Sequence, residues 1–262
     1  MLNEELIDGI VALSHAAGDK IMEIYQRDFS ISEKSDQSPL TEADLAAHHC
    51  IVAGLKAVSD LPILSEESAN IPWSERSTWQ EYWLVDPLDG TKEFIKKNGE
   101  FTVNIALIKN GQAIFGVVYA PVLQQTYVGV VGQGAYKLSN NTRTEITVKA
   151  HTKNDKWLIV GSRSHQSPEI QQFLDELGGE TELVAMGSSL KLCLVAEGAA
   201  HLYPRLGPTS EWDTGAAQAV VEAAGGSVTI VNDVSSALAK DASPLRYNQK
   251  ESVLNPYFLV SY

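Results

Sequence analysis

Apolar positions open the chain at helical spacing. Leu2, Leu6, Ile10, Leu13, Ala17, Ile21 and Ile24 recur every three or four residues, which predicts an amphipathic helix over the first 27 residues. A polar, serine-rich stretch (30–39) follows. Thr41 can cap a second helix, with Asp44 in the acid position of a capping box and Leu45, Val52, Leu55 and Val58 on the apolar face. The period then changes. Residues 62–64 and 82–85 are short apolar runs suited to strands, and each ends in acids. Residues 103–107 alternate, Asn110-Gly111 marks a two-residue hairpin, and 114–119 form the return strand. Residues 127–131 and 134–138 extend an antiparallel meander. Beyond about residue 150, strands (157–160, 183–186, 201–203, 227–231) alternate with helices (168–177, 189–197, 214–224), and 255–262 read as a closing strand. The pattern predicts an α+β half over 1–150 and an α/β half over 151–262.

Composition narrows the partners. In a chain of 262 residues, 44% hydrophobic content is enough to bury a sizeable core. A net charge of −13 disfavours nucleic acid and anionic membrane as partners. A small anionic substrate stays admissible where metal ions or local cations invert the field. Cys50 and Cys193 lie far apart, which fits a reducing compartment rather than a disulfide framework or a zinc site. The sequence has no apolar run of about 18 residues, and the acidic start at Asn3-Glu4-Glu5 is unlike a signal peptide. A cytoplasmic protein without an integral membrane segment is expected, its oligomeric state open.

The chemistry concentrates where strands end. In Trp83-Leu84-Val85-Asp86-Pro87-Leu88-Asp89-Gly90-Thr91 a hydrophobic strand delivers Asp86 and Pro87 turns the chain. Asp89 then falls on the same tight loop, and Thr91 opens a short helix (91–97). Two carboxylates beside backbone N–H groups at a helix start suit a divalent cation next to a phosphate. Five fixed letters of this kind arise by chance with a frequency on the order of 10⁻⁴ in such a chain, which outweighs a solvated surface turn. Glu66-Glu67 ends the preceding strand and can share the site. Asp213 reads as a helix N-cap, held by Trp212 and a small-residue helix (Ala216, Ala217, Ala219).

The acid pair, Asp86-Pro87-Leu88-Asp89-Gly90-Thr91 and Trp212-Asp213-x-x-Ala216-Ala217, in that order, resemble the lithium-sensitive, magnesium-dependent inositol monophosphatase superfamily. The resemblance runs from Thr41-Glu42-Ala43-Asp44 to Gly225-Gly226. Within it, Gly187-Ser188-Ser189-Leu190-Lys191, Leu202-Tyr203-Pro204-Arg205 and Ser162-Arg163-Ser164-His165 most closely resemble the 3′(2′),5′-bisphosphate nucleotidases of the CysQ type. Ser65 is a departure, since many relatives carry glycine before the acid pair.

The resemblance implies a layered α-β-α-β-α sandwich and a magnesium-dependent phosphomonoesterase. Glu66, Asp86 and the Leu88 carbonyl would hold one ion, and Asp86, Asp89 and Asp213 a second. Glu67 would support a third, more loosely bound ion through water. Thr91, hydrogen-bonded to Asp44, would orient and deprotonate the attacking water, and the Gly90 and Thr91 N–H groups would grip the phosphate. His165, Ser188, Lys191 and Arg205 would contact the nucleotide; Tyr203 either lines the base pocket or is a core aromatic. The implied reaction releases the 3′-phosphate of adenosine 3′,5′-bisphosphate to leave AMP, clearing a by-product of sulfate assimilation, with 3′-phosphoadenylyl sulfate as a further substrate. Peripheral inner-membrane association, suggested for some relatives, has no basic amphipathic helix here to support it. An inositol or sugar monophosphatase is the alternative, and a non-catalytic nucleotide sensor a third reading.

Overall fold

The first helix, α1 (Glu4–Tyr25), starts where Asn3 Oδ1 accepts the Leu6 N–H at 2.9 Å, and it buries the stripe Ile7, Ile10, Ala17 and Ile21. The structure is a computed structural model that describes residues 2–29, 31–33, 39–140, 142–153, 155–161, 168–233, 237 and 242–262. Within the serine-rich stretch, β1 (Ile31–Glu33) and β2 (Pro39–Thr41) pair antiparallel, a ribbon the sequence did not announce. α2 (Glu42–Val58) begins with Thr41 Oγ1 accepting the Ala43 N–H at 3.2 Å while Asp44 Oδ2 accepts the Thr41 N–H at 2.8 Å. β3 (Ile63–Ser65) leads into a 3₁₀ turn (Glu66–Ser68) and the short α3 (Trp73–Arg76). β4 (Glu81–Asp89), α4 (Thr91–Ile95), β5 (Thr102–Lys109), β6 (Gln112–Ala120), β7 (Gln125–Val130), β8 (Gly134–Ser139) and β9 (Thr142–Ile146) follow. β3 to β9 form a seven-stranded sheet in sequence order, antiparallel except for the parallel pair β3–β4. Asn110 and Gly111 turn β5 into β6 with φ of 50° and 74°, the double positive that this two-residue hairpin requires.

In the remaining chain, β10 (Trp157–Gly161), α5 (Pro168–Leu177), β11 (Thr181–Ala185), α6 (Leu190–Ala196), β12 (Leu202–Arg205), α7 (Glu211–Ala223), β13 (Ser227–Ile230) and β14 (Phe258–Ser261) build the second half. Their strands form a five-stranded sheet in the order β11-β10-β12-β14-β13. β14 pairs antiparallel with both neighbours, so the closing strand fills the interior of the sheet rather than its edge.

The side chains sort into layers. Val103, Ile105 and Leu107 of β5 pack with α1 and α2 on one face of the large sheet. Ala106 and Ile108 of the same strand face α6 and α7, together with Tyr203, Val228 and Val260 from the inner face of the small sheet. Phe173 of α5 covers the outer face of that sheet with Ile159 and Leu202. The order is α1/α2, seven strands, α6/α7, five strands, α5: the layered α-β-α-β-α sandwich. α7 sits deep in the middle layer because β6 and β7 offer it glycine. Gly116 and Gly129 are direct cross-strand partners, and a Cβ on either would lie 2.1 Å from Ala216 O or 2.4 Å from Val220 Cα. Among the described residues, no helix is long and apolar enough to cross a membrane.

Candidate metal centre

Parallel pairing of β3 with β4 sets Ser65 beside Val85, so Glu66 and Asp86 come next on neighbouring strands, where β3 ends and β4 runs on to Asp89. Beyond Asp86 the ladder slips. Asp86 pairs with Asn104 and Asp89 with Thr102, three residues of β4 against two of β5. In an unbroken strand, residues 86 and 89 would point to opposite faces. The extra residue of this bulge returns both to the face of Asn104 and Thr102, which is the face α7 covers.

Asp213 arrives from α7. The helix begins at Glu211, three residues earlier than the sequence reading, because Ser210 rather than Asp213 is its N-cap. Asp213 occupies the third helical position and accepts the Ser210 N–H on Oδ2 at 2.9 Å. Asp86, Asp89 and Asp213 each present a carboxylate oxygen within 4.8 Å of the other two. Glu66 hydrogen-bonds the Asp86 side chain from outside that triangle, and Glu67 follows Glu66 on the 3₁₀ turn.

Burial, followed by the charges of Glu66, Asp89 and Asp213, pushes the Asp86 carboxyl well above the usual carboxylate range. Burial first, then Asp89, raises Asp213 to about 8, against the downward pull of the Ser210 N–H and Arg205. Four acids so placed repel one another once ionised, and their donors are hard oxygens only. Such a set fits a divalent cation of the magnesium type and offers zinc none of the nitrogen or sulfur it prefers. Both raised groups hold their protons more tightly folded than unfolded. Their contribution to metal-free stability is therefore full below about pH 4 and is lost as pH climbs through about 8. Melts in chelator should show a lower Tm at pH 8 than at pH 5, with a divalent cation reversing the loss. Equal metal-free melts at both values would contradict this electrostatic account.

Thr91 Oγ1 donates toward Asp44 Oδ1 at 3.3 Å and lies 3.5 Å from the Leu88 carbonyl oxygen. The other Asp44 oxygen is held by the Thr41 N–H and hydroxyl at 2.8 and 2.6 Å. Gly90, at φ 93°, caps α4 between the cluster and Ser188. The serine that replaces glycine before the acid pair causes no strain: Ser65 is extended (φ −116°, ψ 145°) and buried, with His48 Nδ1 2.9 Å from its hydroxyl.

A cleft of ≈ 130 Å³ adjoins the carboxylates, lined among others by Asp89, Ser188, Lys191, Tyr203, Arg205 and Asp213. The Lys191 ammonium stands 5.8 Å from the centre of the Tyr203 ring. Arg205 donates from Nη2 to the Pro208 carbonyl at 2.7 Å, and its buried Nε has no hydrogen-bond partner among the described residues. His165, read as a nucleotide contact, lies outside the described residues. The sequence reading passed over Thr102, Asn104 and Ser189. Ser188 and Ser189 hydroxyls and the Ser189 N–H all reach Asp89 Oδ2 at 2.6 Å, with Thr102 and Asn104 behind them. Two polar residues on the inward face of an otherwise apolar strand were the available signal.

Residues 2–256 match the model of the inositol monophosphatase family. The chain is 48% identical over 259 residues to the 3′(2′),5′-bisphosphate nucleotidase CysQ of Escherichia coli (strain K12), covering 98% of this chain and 99% of that protein. The Haemophilus influenzae enzyme of the same name is 34% identical over 261 residues, covering 99% and 93%. Among solved structures, CysQ from Bacteroides thetaiotaomicron, described as a bacterial member of the inositol monophosphatase family, is similar with a TM-score of 0.83 and 42% identity. That match covers 98% of this chain and 97% of the other. With the carboxylate cluster, the layered fold and relatives this similar along nearly their whole length, the chain belongs to the inositol monophosphatase family.

Proposed function

We propose that the protein hydrolyses the 3′-phosphate of adenosine 3′,5′-bisphosphate to give AMP and inorganic phosphate, and accepts 3′-phosphoadenylyl sulfate as a second substrate. One observation carries the reading. Two cations, Lys191 and Arg205, line the same cleft as two carboxylates of the cluster, Asp89 and Asp213. A substrate bearing a second phosphate needs charge-assisted donors beside the chemistry, and a neutral inositol ring does not. The names of the similar CysQ proteins agree with this assignment.

Glu66, Asp86, the Leu88 carbonyl, Asp89 and Asp213 would hold two magnesium ions, with Glu67 supporting a third. When bound, magnesium supplies Lewis-acid neutralisation of phosphate charge and lowers the pKa of water. The chain's own part is positioning. Thr91 gives its hydroxyl proton to Asp44 Oδ1, which leaves its oxygen lone pairs to accept a proton from the attacking water. Asp44 is itself fixed by Thr41, so the direction of that transfer is set before substrate arrives. The Gly90 and Thr91 N–H groups, with no helical partner at the start of α4, orient the scissile phosphate. Ser188, Lys191 and Arg205 hold the nucleotide part, with His165 a further contact in sequence. The reaction is an in-line displacement without a covalent intermediate.

Turnover measured side by side on adenosine 3′,5′-bisphosphate and inositol monophosphate tests the assignment. The nucleotide should be the better substrate, and phosphate release should require magnesium. In Lys191→Ala, kcat/KM on the nucleotide should drop about 10- to 150-fold, the worth of one charge-assisted hydrogen bond. Inositol phosphate hydrolysis should stay unchanged. A Lys191→Ala protein that keeps its nucleotide activity while preferring inositol phosphate would make the enzyme a sugar or inositol monophosphatase. No phosphate release from either compound would leave a nucleotide-binding protein without catalysis.

A further inference from the structure

Asn104 takes no part in the chemistry above, yet it sits at its hub. It is the cross-strand partner of Asp86 and, at 1% exposure, is sealed from solvent. Its Nδ2 donates to Ser189 Oγ at 2.8 Å, while its Oδ1 has no partner among the described residues. Among the described residues, that donor is therefore the amide's one hydrogen bond. Ser189 Oγ in turn lies 2.6 Å from Asp89 Oδ2 and 2.8 Å from the Asp213 main-chain oxygen. A hydroxyl has one proton to give and lone pairs to receive. With Asn104 donating into one lone pair, the single Ser189 proton turns toward Asp89 Oδ2 and the Asp213 main-chain oxygen, which share it. Ser189 thus stands between a β4 ligand 100 residues before it and the first turn of α7, 24 residues after it. Asp89 Oδ2 already accepts from the Ser188 hydroxyl and the Ser189 N–H, which leaves Oδ1 as the oxygen available to a cation. Thr102 Oγ1 lies 2.7 Å from the hydroxyl of Ser188, a residue with a left-handed φ of 54°.

We propose that Asn104 is a positioning residue for the metal centre: its donor fixes the direction of the Ser189 hydroxyl, which sets the orientation of Asp89 and its distance from Asp213. The proposal rests on the carboxylate cluster holding magnesium, as read above, and not on the identity of the nucleotide.

The test is magnesium binding by isothermal titration of nucleotide-free protein, beside turnover at graded magnesium. Asn104→Leu keeps size and removes the donor. Its magnesium affinity should fall about 10- to 100-fold, the usual effect of losing a partner behind the ligands. Turnover at saturating magnesium should stay within about threefold of the original protein, the split expected for positioning and not for chemistry. Ser189→Ala, which tests the same link should Asn104→Leu fail to fold, should show the same loss. The double variant should be no worse than either single one, because both break one chain of contacts. Affinity within about twofold of the original in both single variants would overturn the proposal, as would losses that multiply in the double variant. If the unsubstituted protein bound no magnesium, the functional reading would fall and this inference with it. Intact binding that Asn104→Leu leaves unmoved would sink the inference alone.

Discussion

Asp86→Asn should reduce phosphate release by about 10³-fold or more, equivalent to roughly 4 kcal/mol of lost transition-state stabilisation. Asp86 touches Glu66 and faces both Asp89 and Asp213, so both proposed ion sites draw on it. The amide is isosteric, so packing is preserved while the charge at the centre of the cluster disappears. Stability should move the opposite way. In chelator, wild type holds several acids against one another in a buried site. Removing the central one relieves that repulsion and should raise the metal-free Tm at pH 8. An inactive variant that melts higher than its parent cannot be explained by misfolding. Phosphate release assays and paired melts decide the matter, and full activity in Asp86→Asn would remove the mechanism.

Gly116→Val should carry the largest cost in stability. The added Cβ would fall 2.1 Å from the main-chain oxygen of Ala216, and Gly129 directly opposite is as closely covered by Val220. Both obstacles are backbone atoms of a helix held between two sheets, so they cannot rotate aside. Overpacking of this kind costs about 3 kcal/mol or more, a Tm drop of about 6–12 °C at this chain length. Gly9, exposed on α1 with open space for 4 Å around the position of an added Cβ, provides the contrast. Gly9→Ala should leave Tm level or slightly higher through helix propensity alone. If Gly116→Val melts like wild type, α7 is not seated as described.

Much of the architecture can be read from periodicity. The long helices and the meander have strong repeats, and the Asn110-Gly111 turn has a local chemical cause that needs no tertiary information. β9, with four exposed residues of five, has no apolar repeat to betray it. The β1–β2 ribbon and α3 are too short to carry a period. The start of α7 is misplaced in the sequence because Ser210 and Asp213 are both good capping residues three apart, and either can be taken for the cap. The carboxylates that meet in space are visible as acids ending apolar runs, since a buried strand followed by an acid is an unusual juxtaposition. Their meeting depends on which strands pair in parallel and on a bulge, and neither is encoded at short range. Asn104 escapes notice for a related reason. One amide in an alternating strand reads as an ordinary inward position until the facing helix is known.

The slip between Asp86 and Asp89 also bears on how this segment can vary in length. A strand's pleat distinguishes odd spacings from even ones, and the intervening pair Pro87-Leu88 counts for one step of the partner strand. Deleting either residue and restoring regular pairing would leave Asp86 in place with Asp89 again two positions along, so the loss of the bend is absorbed. Inserting a single residue gives a spacing of four, which keeps Asp89 on the same face in regular pairing but swings it toward the α1/α2 side of the sheet if the bulge persists. A change of one residue in either direction therefore keeps Asp89 on the face of α7 only where the bulge is lost with it, so length and irregularity must vary together in this segment.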